Sequence, residues 1–330
     1  MKDRVKLTER DLRLLGIFRV LVEAGGLTAA ETMLGMERST ISRHLQALEG
    51  RVGGTVCARG PKGFELTELG QKVFRAALAA RDATLRAEEE LAQSMSGLTG
   101  KLLLGVADNT ISNPDCRLAE VVGRFHAAAP AVETHLSIRP PSEIVEEILM
   151  RRLDFAVLAI PSARFKLAAE PLFDEEFRLY TRRPALGRLS LGQLAAGGFA
   201  VATREGHWQS EALADQLGLA QRGVGRGLEA AAILIASGRY VGFLPTHLVG
   251  PLQPRYPLVE VERAEHLRYV KTFSLVYDPA RPFSAAGTTF AQIARQVHGS
   301  YRGLPATGMF EMSSPEERGE GGMAAALSTP

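Results

Sequence analysis

The sequence predicts an α/β multidomain chain: an N-terminal winged helix-turn-helix, one long linking helix, and two α/β lobes. Three observations predict it. Three helical segments and a basic hairpin follow one another within residues 8–66. A helical stretch free of proline then runs over residues 67–95. Beyond a glycine hinge at Gly97–Gly100, strand and helix patterns alternate to about residue 297. A length of 330 residues suits two or three compact units of this kind.

Thr8–Ala24 reads as the first helix. Thr8 caps it, Asp11 stands at the third helical position, and Leu12, Leu15, Phe18, Val20, Leu21 and Val22 supply a broad apolar face that Gly25-Gly26 ends. Thr28-Ala29-Ala30-Glu31 reads as a capping box for a short second helix ending near Gly35. The third helix runs from about Arg38 to Val52, with Ile41, Leu45, Leu48 and Val52 inward. Residues 54–66 place Gly60-Pro61-Lys62-Gly63 between two β-prone runs, a hairpin with a basic tip. Thr67 caps the fourth helix, which reaches about Met95 and so spans ~42 Å. Its stripe of Val73, Phe74, Ala77, Leu78, Leu85, Leu91 and Met95 is the pattern of an interhelical seam, with Phe74, Leu78 and Leu85 the expected dimer contacts.

The remainder reads as strands at Lys101–Ala107, Val132–Ile138 and Phe155–Ile160 alternating with helices near Pro114–Ala129 and Ser142–Arg152, which implies a parallel sheet. A second such run covers roughly 174–272; Tyr269–Tyr277 is a strand and Ala285–Val297 the last helix. The expected organisation is a winged helix-turn-helix head at 1–66, a linking helix at 67–97 and a two-lobed α/β domain at 98–303. Its lobe I is 98–173 with 273–303, and its lobe II is 174–272. Residues 304–330 are Gly, Ser, Pro, Glu and Ala with few apolar side chains and read as a disordered tail.

Composition narrows the function. The formal net charge is only +2, so any nucleic-acid contact is local rather than spread over the surface. Cys57 and Cys116 stand far apart and the histidines are scattered, so no disulfide scaffold, metal or other cofactor is expected. There is no export signal and no apolar run long enough for a membrane helix; the cytoplasm is the expected compartment. No GxSxG, P-loop or dinucleotide fingerprint is present, and Gly223-Val224-Gly225-Arg226-Gly227 does not read as a phosphate loop joining strand to helix. An enzyme is therefore not expected. A transport-type solute receptor would need the missing export signal and has no use for a wing.

A reading helix projects short or planar polar groups into the major groove from its first turns. The third helix offers Arg38, Ser39, Thr40, Ser42, Arg43 and His44 outward, the wing adds Arg59 and Lys62, and Thr28 opens the second helix. These form the expected double-stranded-DNA contact set. Two α/β lobes create a ligand cleft at strand ends and helix N-termini. Asp108, Asn109 and Thr110 leave the first strand, Pro141 and Ser142 open a helix, Thr203, Arg204 and His207 follow a strand of the other lobe, and Thr246 follows Leu244-Pro245. These outline the expected effector pocket. Arg204 and Arg139 suit a carboxylate, while Asp108 and Glu205 oppose a simple anion pocket.

Residues 8–80 resemble the N-terminal domain of LysR-type transcriptional regulators. The resemblance is carried by Leu27-Thr28-Ala29-Ala30, Ser42-Arg43-His44-Leu45, Leu48-Glu49-Gly50-Arg51-Val52-Gly53 and Arg59-Gly60-Pro61-Lys62-Gly63-Phe64-Glu65-Leu66-Thr67-Glu68-Leu69-Gly70. Ser237-Gly238-Arg239-Tyr240-Val241-Gly242-Phe243-Leu244-Pro245 is similar to a family segment in the effector domain, so the resemblance covers about 5–300. It implies a periplasmic-binding-protein-like effector domain, a small-molecule effector, a homodimer or a tetramer built from two dimers, and action on RNA polymerase. Departures stand at Glu31 for the second alanine of a pair, at Glu37 and Arg38 for a serine and glutamine opening the reading helix, and at Cys57 for a phenylalanine of the wing. Arginine favours guanine where glutamine favours adenine. The alternative is an architectural or constitutive DNA-binding protein whose effector-like domain holds no ligand.

Overall fold

The computed structural model describes residues 6–60, 63–96, 98–160, 166–182, 190–205, 210–212, 215, 222–299 and 301. The chain forms two compact units: the residues up to Lys101 with Ala131–Glu133 and Ala280–Ala286, and the remainder. No described helix is long and apolar enough to cross a membrane.

The first unit holds α1 (Glu9–Glu23), α2 (Leu27–Leu34), α3 (Arg38–Val52), a hairpin of β1 (Cys57–Gly60) and β2 (Gly63–Leu66), and α4 (Glu68–Ser96). α1 begins on the capping box that the sequence predicts. Thr8 Oγ1 accepts from the Asp11 N–H at 3.3 Å, and the Asp11 carboxylate accepts from the Thr8 N–H at 2.9 Å. The Arg51 guanidinium, 3.0 Å away, holds the Asp11 carboxyl down at about 2 and ties α3 to the start of α1. Leu14, Phe18 and Leu21 of α1, Ile41 and Leu48 of α3, and Phe74 and Leu78 of α4 make the core. Gly70 belongs at the start of α4 because a Cβ there would stand 1.9 Å from the Val56 carbonyl oxygen.

Two expectations change here. α2 begins at Leu27 with Gly26 as its cap, so Thr28 lies within its first turn and caps nothing. Phe74 and Leu78, expected as dimer contacts, are instead 5% and 1% exposed in the core of their own unit; among the described side chains of α4, the large apolar ones left uncovered are Leu85 at 43% and Leu91 at 70%.

The second unit holds, except for the few residues of β3, β4 and α10 that fall in the first, β3 (Gly100–Val106), α5 (Leu118–Ala128), β4 (Val132–Ile138), α6 (Pro141–Leu149), β5 (Phe155–Leu158), β6 (Ala168–Thr181), α7 (Leu191–Ala196), β7 (Ala200–Arg204), β8 (Arg222–Gly225), α8 (Leu228–Ala236), β9 (Tyr240–Pro245), α9 (Thr246–Leu252), β10 (Val259–Glu260), β11 (Tyr269–Tyr277) and α10 (Ala285–His298). The strands form one sheet in the order β4-β3-β5-β11-β6-β9-β7-β8, with β10 beside β6. The sheet is mixed, not parallel. β3 pairs parallel with β5, and β7 with both β8 and β9, but β11 runs antiparallel to β5 and β6, and β9 antiparallel to β6. The expected change of lobe at 173/174 and 272/273 falls inside two long strands, where their register shifts at Phe273/Ser274. Phe125, Phe155 and Phe290 pack ring against ring on one side of that point, and Phe177, Leu179, Val201, Val241 and Phe243 cluster on the other.

Candidate DNA-reading and effector sites

α3 is placed as a reading helix requires. Ile41 and Leu48 are fully buried against α1, which forces the intervening polar side chains outward. Arg38, Ser39 and Arg43 are exposed, and Thr40, Ser42 and His44 are half-buried. Arg38 has no side-chain hydrogen bond or ion pair among the described residues. Arg43 turns back along its own helix: its Nε–H donates to the Ser39 carbonyl at 3.4 Å and its Nη2–H to Thr40 Oγ1 at 3.2 Å. Thr28 is exposed at the start of α2. Arg59 lies in β1 of the wing, opposite Phe64, and Lys62 lies outside the described residues. Glu31 does not cap its own helix. Its Oε1 accepts the backbone N–H of Arg38 at 2.8 Å, so it caps α3 from α2.

The expected effector residues divide. Asn109 adopts a left-handed backbone (φ 60°) and leads into a short 3-10 turn at Thr110–Ser112. Thr110 is buried, its hydroxyl donating to the Ala107 carbonyl at 3.4 Å. Thr203 is buried and donates to the Gly223 carbonyl at 3.2 Å. Thr246 opens α9, half-buried. Pro141 is half-buried at the first position of α6, which Pro140 rather than Ser142 caps; Ser142 is exposed in that first turn. Arg139 is exposed beside Glu143 at 3.9 Å, so it is no anchor for a buried anion. His207 lies outside the described residues. The glycine run does join strand to helix, β8 to α8. Its glycines serve packing, since a Cβ on Gly225 would stand 2.7 Å from the Ala231 nitrogen. The helix N-terminus it creates is already occupied, because the Asp108 carboxylate accepts the Leu228 N–H.

A partly buried polar cluster lies on β6 and β11, where sequence reading placed no site. Glu175 and Lys271 are cross-strand partners, as are Phe177 and Tyr269. The Phe177 and Tyr269 rings stack at 4.9 Å, with the Lys271 ammonium over them at 5.7 and 6.0 Å. Glu175 accepts from His247 Nε2 at 3.1 Å, and His247 Nδ1 meets Ser112 Oγ at 2.8 Å. Lys271 is thus left without an ion pair or hydrogen bond among the described residues, and so is Arg204 at the end of β7. Burial, with the neighbouring Arg204 charge adding to it, brings the Lys271 ammonium down to about 7, against the pull of Glu175. Burial likewise raises the Tyr269 hydroxyl and the thiol of Cys116. The readable signal was a charge on an apolar face: Glu175 alternates with Phe173 and Phe177, and Lys271 with Tyr269 and Phe273.

Comparison with known proteins fits this geometry. The family model described as bacterial regulatory helix-turn-helix protein, lysR family, matches residues 12–71, and the LysR substrate binding domain matches residues 96–299. The HTH-type transcriptional activator BauR of Pseudomonas aeruginosa is 32% identical over 265 residues, covering 76% of this chain and 86% of that protein. Two full-length solved structures share the fold. OxyR from Pseudomonas aeruginosa has a TM-score of 0.61 and 18% identity, covering 91% of this chain and 100% of its own. CbnR complexed with its target DNA has a TM-score of 0.52 and 19% identity, covering 87% and 99%.

Proposed function

Because this chain belongs to the LysR family of transcriptional regulators, whose members bind DNA and are not enzymes, we propose that its α/β domain answers to a small anionic effector and that α3 reads its operator chiefly through Arg38. The observation that carries the effector reading is the pair of unpartnered cations, Arg204 and Lys271, beside an aromatic floor. Both side chains are half-buried, and a carboxylate bound between the two gives each cation a partner through charge-assisted hydrogen bonds. Thermal melting of the wild type, Arg204→Ala, Lys271→Met and Ser142→Ala against a panel of mono- and dicarboxylates tests this. A binding acid at about 100 times its Kd adds ~2.7 kcal/mol of stability. The response should vanish in the first two variants and persist in Ser142→Ala. If no acid raises the wild-type melting temperature, the anion reading fails.

Two copies paired through the uncovered part of α4 around Leu85, and two such dimers together, would set the reading helices about 34–36 Å apart or a multiple of it. Effector binding shifts this assembly between shapes only by its differential affinity for them, and the shapes then alter contact with RNA polymerase in the cytoplasm. A second reading, a constitutive DNA binder, is favoured by one observation: Asp108 already fills the N-terminus of α8 from across the sheet. Failure of every acid in the panel would favour it.

A further inference from the structure

Two carboxylates stand at the entrance of the reading helix. Glu31 accepts the Arg38 N–H at 2.8 Å from the neighbouring helix. Glu37, at the N-cap with extended backbone, makes no side-chain cap and lies 3.4 Å from the Ser39 hydroxyl. A helix N-terminus normally attracts anions through its unpaired N–H groups and its dipole, and DNA phosphates are such anions. Here one of those N–H groups is satisfied by a carboxylate of the same chain, and a second carboxylate is exposed beside it. Any phosphate drawn toward this helix end meets fixed negative charge, whatever the DNA sequence. A guanine edge in reach of Arg38 meets a guanidinium that none of the described residues engages.

We propose that Glu31 is a specificity-determining residue: it caps α3 with a negative charge that weakens attraction to DNA of arbitrary sequence, so that tight binding depends on base contact by Arg38. The inference rests on α3 being the reading helix. Glu31→Gln keeps the acceptor for the Arg38 N–H and removes the charge; Glu31→Ala removes both. Two duplexes serve as probes, one selected by the wild-type protein from a random pool and one of scrambled sequence, with affinity measured from 0.05 to 0.5 M salt.

Glu31→Gln should bind the scrambled duplex about 3- to 10-fold more tightly at 0.1 M salt, the size of one like-charge contact a few ångströms away in a water-like medium. The gain should shrink toward 0.5 M salt as screening shortens to a few ångströms. The selected duplex should gain less, so the ratio of the two affinities falls. Glu31→Ala should melt lower than Glu31→Gln, which separates cap from charge. A scrambled-duplex affinity of Glu31→Gln within twofold of the wild type, while Arg38→Ala loses the selected duplex, overturns the proposal alone. Arg38→Ala binding both duplexes as the wild type does overturns the reading of α3 and the proposal with it.

Discussion

Lys271 sits where the state of one proton decides what the α/β domain can hold. Burial and Arg204 bring its ammonium to about 7, so it is increasingly neutral above that pH in the empty domain. An anion pairs with the charged form only, so affinity for a carboxylate should strengthen as pH falls through 7 and weaken above it, by at most about tenfold per pH unit. Calorimetric titration from pH 6 to 9 should show this slope in the wild type and a flat profile in Lys271→Arg, whose guanidinium stays charged. The same shift acts on stability with the opposite benefit. The unfolded lysine keeps its proton to about 10.4, so between pH 7 and 10 the unfolded state binds more protons and this residue makes the empty protein more stable as pH rises. Lys271 was legible in principle, as a charge alternating with Tyr269 and Phe273 on an apolar face. Asp108 was not: its partner is the Leu228 N–H, 120 residues away, and nothing local in either segment announces the contact. Glu31 misled for a related reason. Thr28-Ala29-Ala30-Glu31 satisfies the local capping-box rule, but the Arg38 N–H competes for the same carboxylate and wins.

Among the elements, α4 buries the first part of its apolar stripe in its own unit and leaves Leu85 and Leu91 further along uncovered. Leu78 is 1% exposed and Leu85 43% exposed, seven residues further along the same stripe. Leu78→Glu should therefore cost the head its fold, seen as loss of the cooperative melt. Leu85→Glu should keep the melt and shift the sedimentation of the protein toward a smaller species. The junction between wing and α4 makes a sharper prediction. Gly70→Ala drives a methyl into the Val56 carbonyl, so the strand or the helix start must move. A loss of roughly 1–3 kcal/mol, the range for forced overpacking, is expected in urea melts. The boundaries of α1, α3 and the wing were legible because apolar spacing, a cap and a glycine turn agree there. The apolar stripe of α4 was legible, but periodicity alone does not say which part of a stripe faces home.

Across the whole molecule, strand–helix alternation correctly announced an α/β domain and failed on strand direction. Buried strands read as apolar runs whichever way their neighbours point, and β6 and β11 find each other across about a hundred residues, with no turn between them to declare an antiparallel pair. The sheet order carries a consequence for how the chain is made. β11 is the last of the described strands to leave the ribosome, yet it lies at the centre of the sheet, between β5 and β6. Until Tyr277 has been synthesised, β5 and β6 each present an unpaired edge, and the growing chain holds two half-sheets without the strand that hydrogen-bonds to both. Chains ending at Arg268 should therefore collect in the pellet on expression, while chains carried on through β11 and α10 stay in the supernatant. For this protein the interval between those two points of synthesis is the time of greatest exposure to strand-edge association.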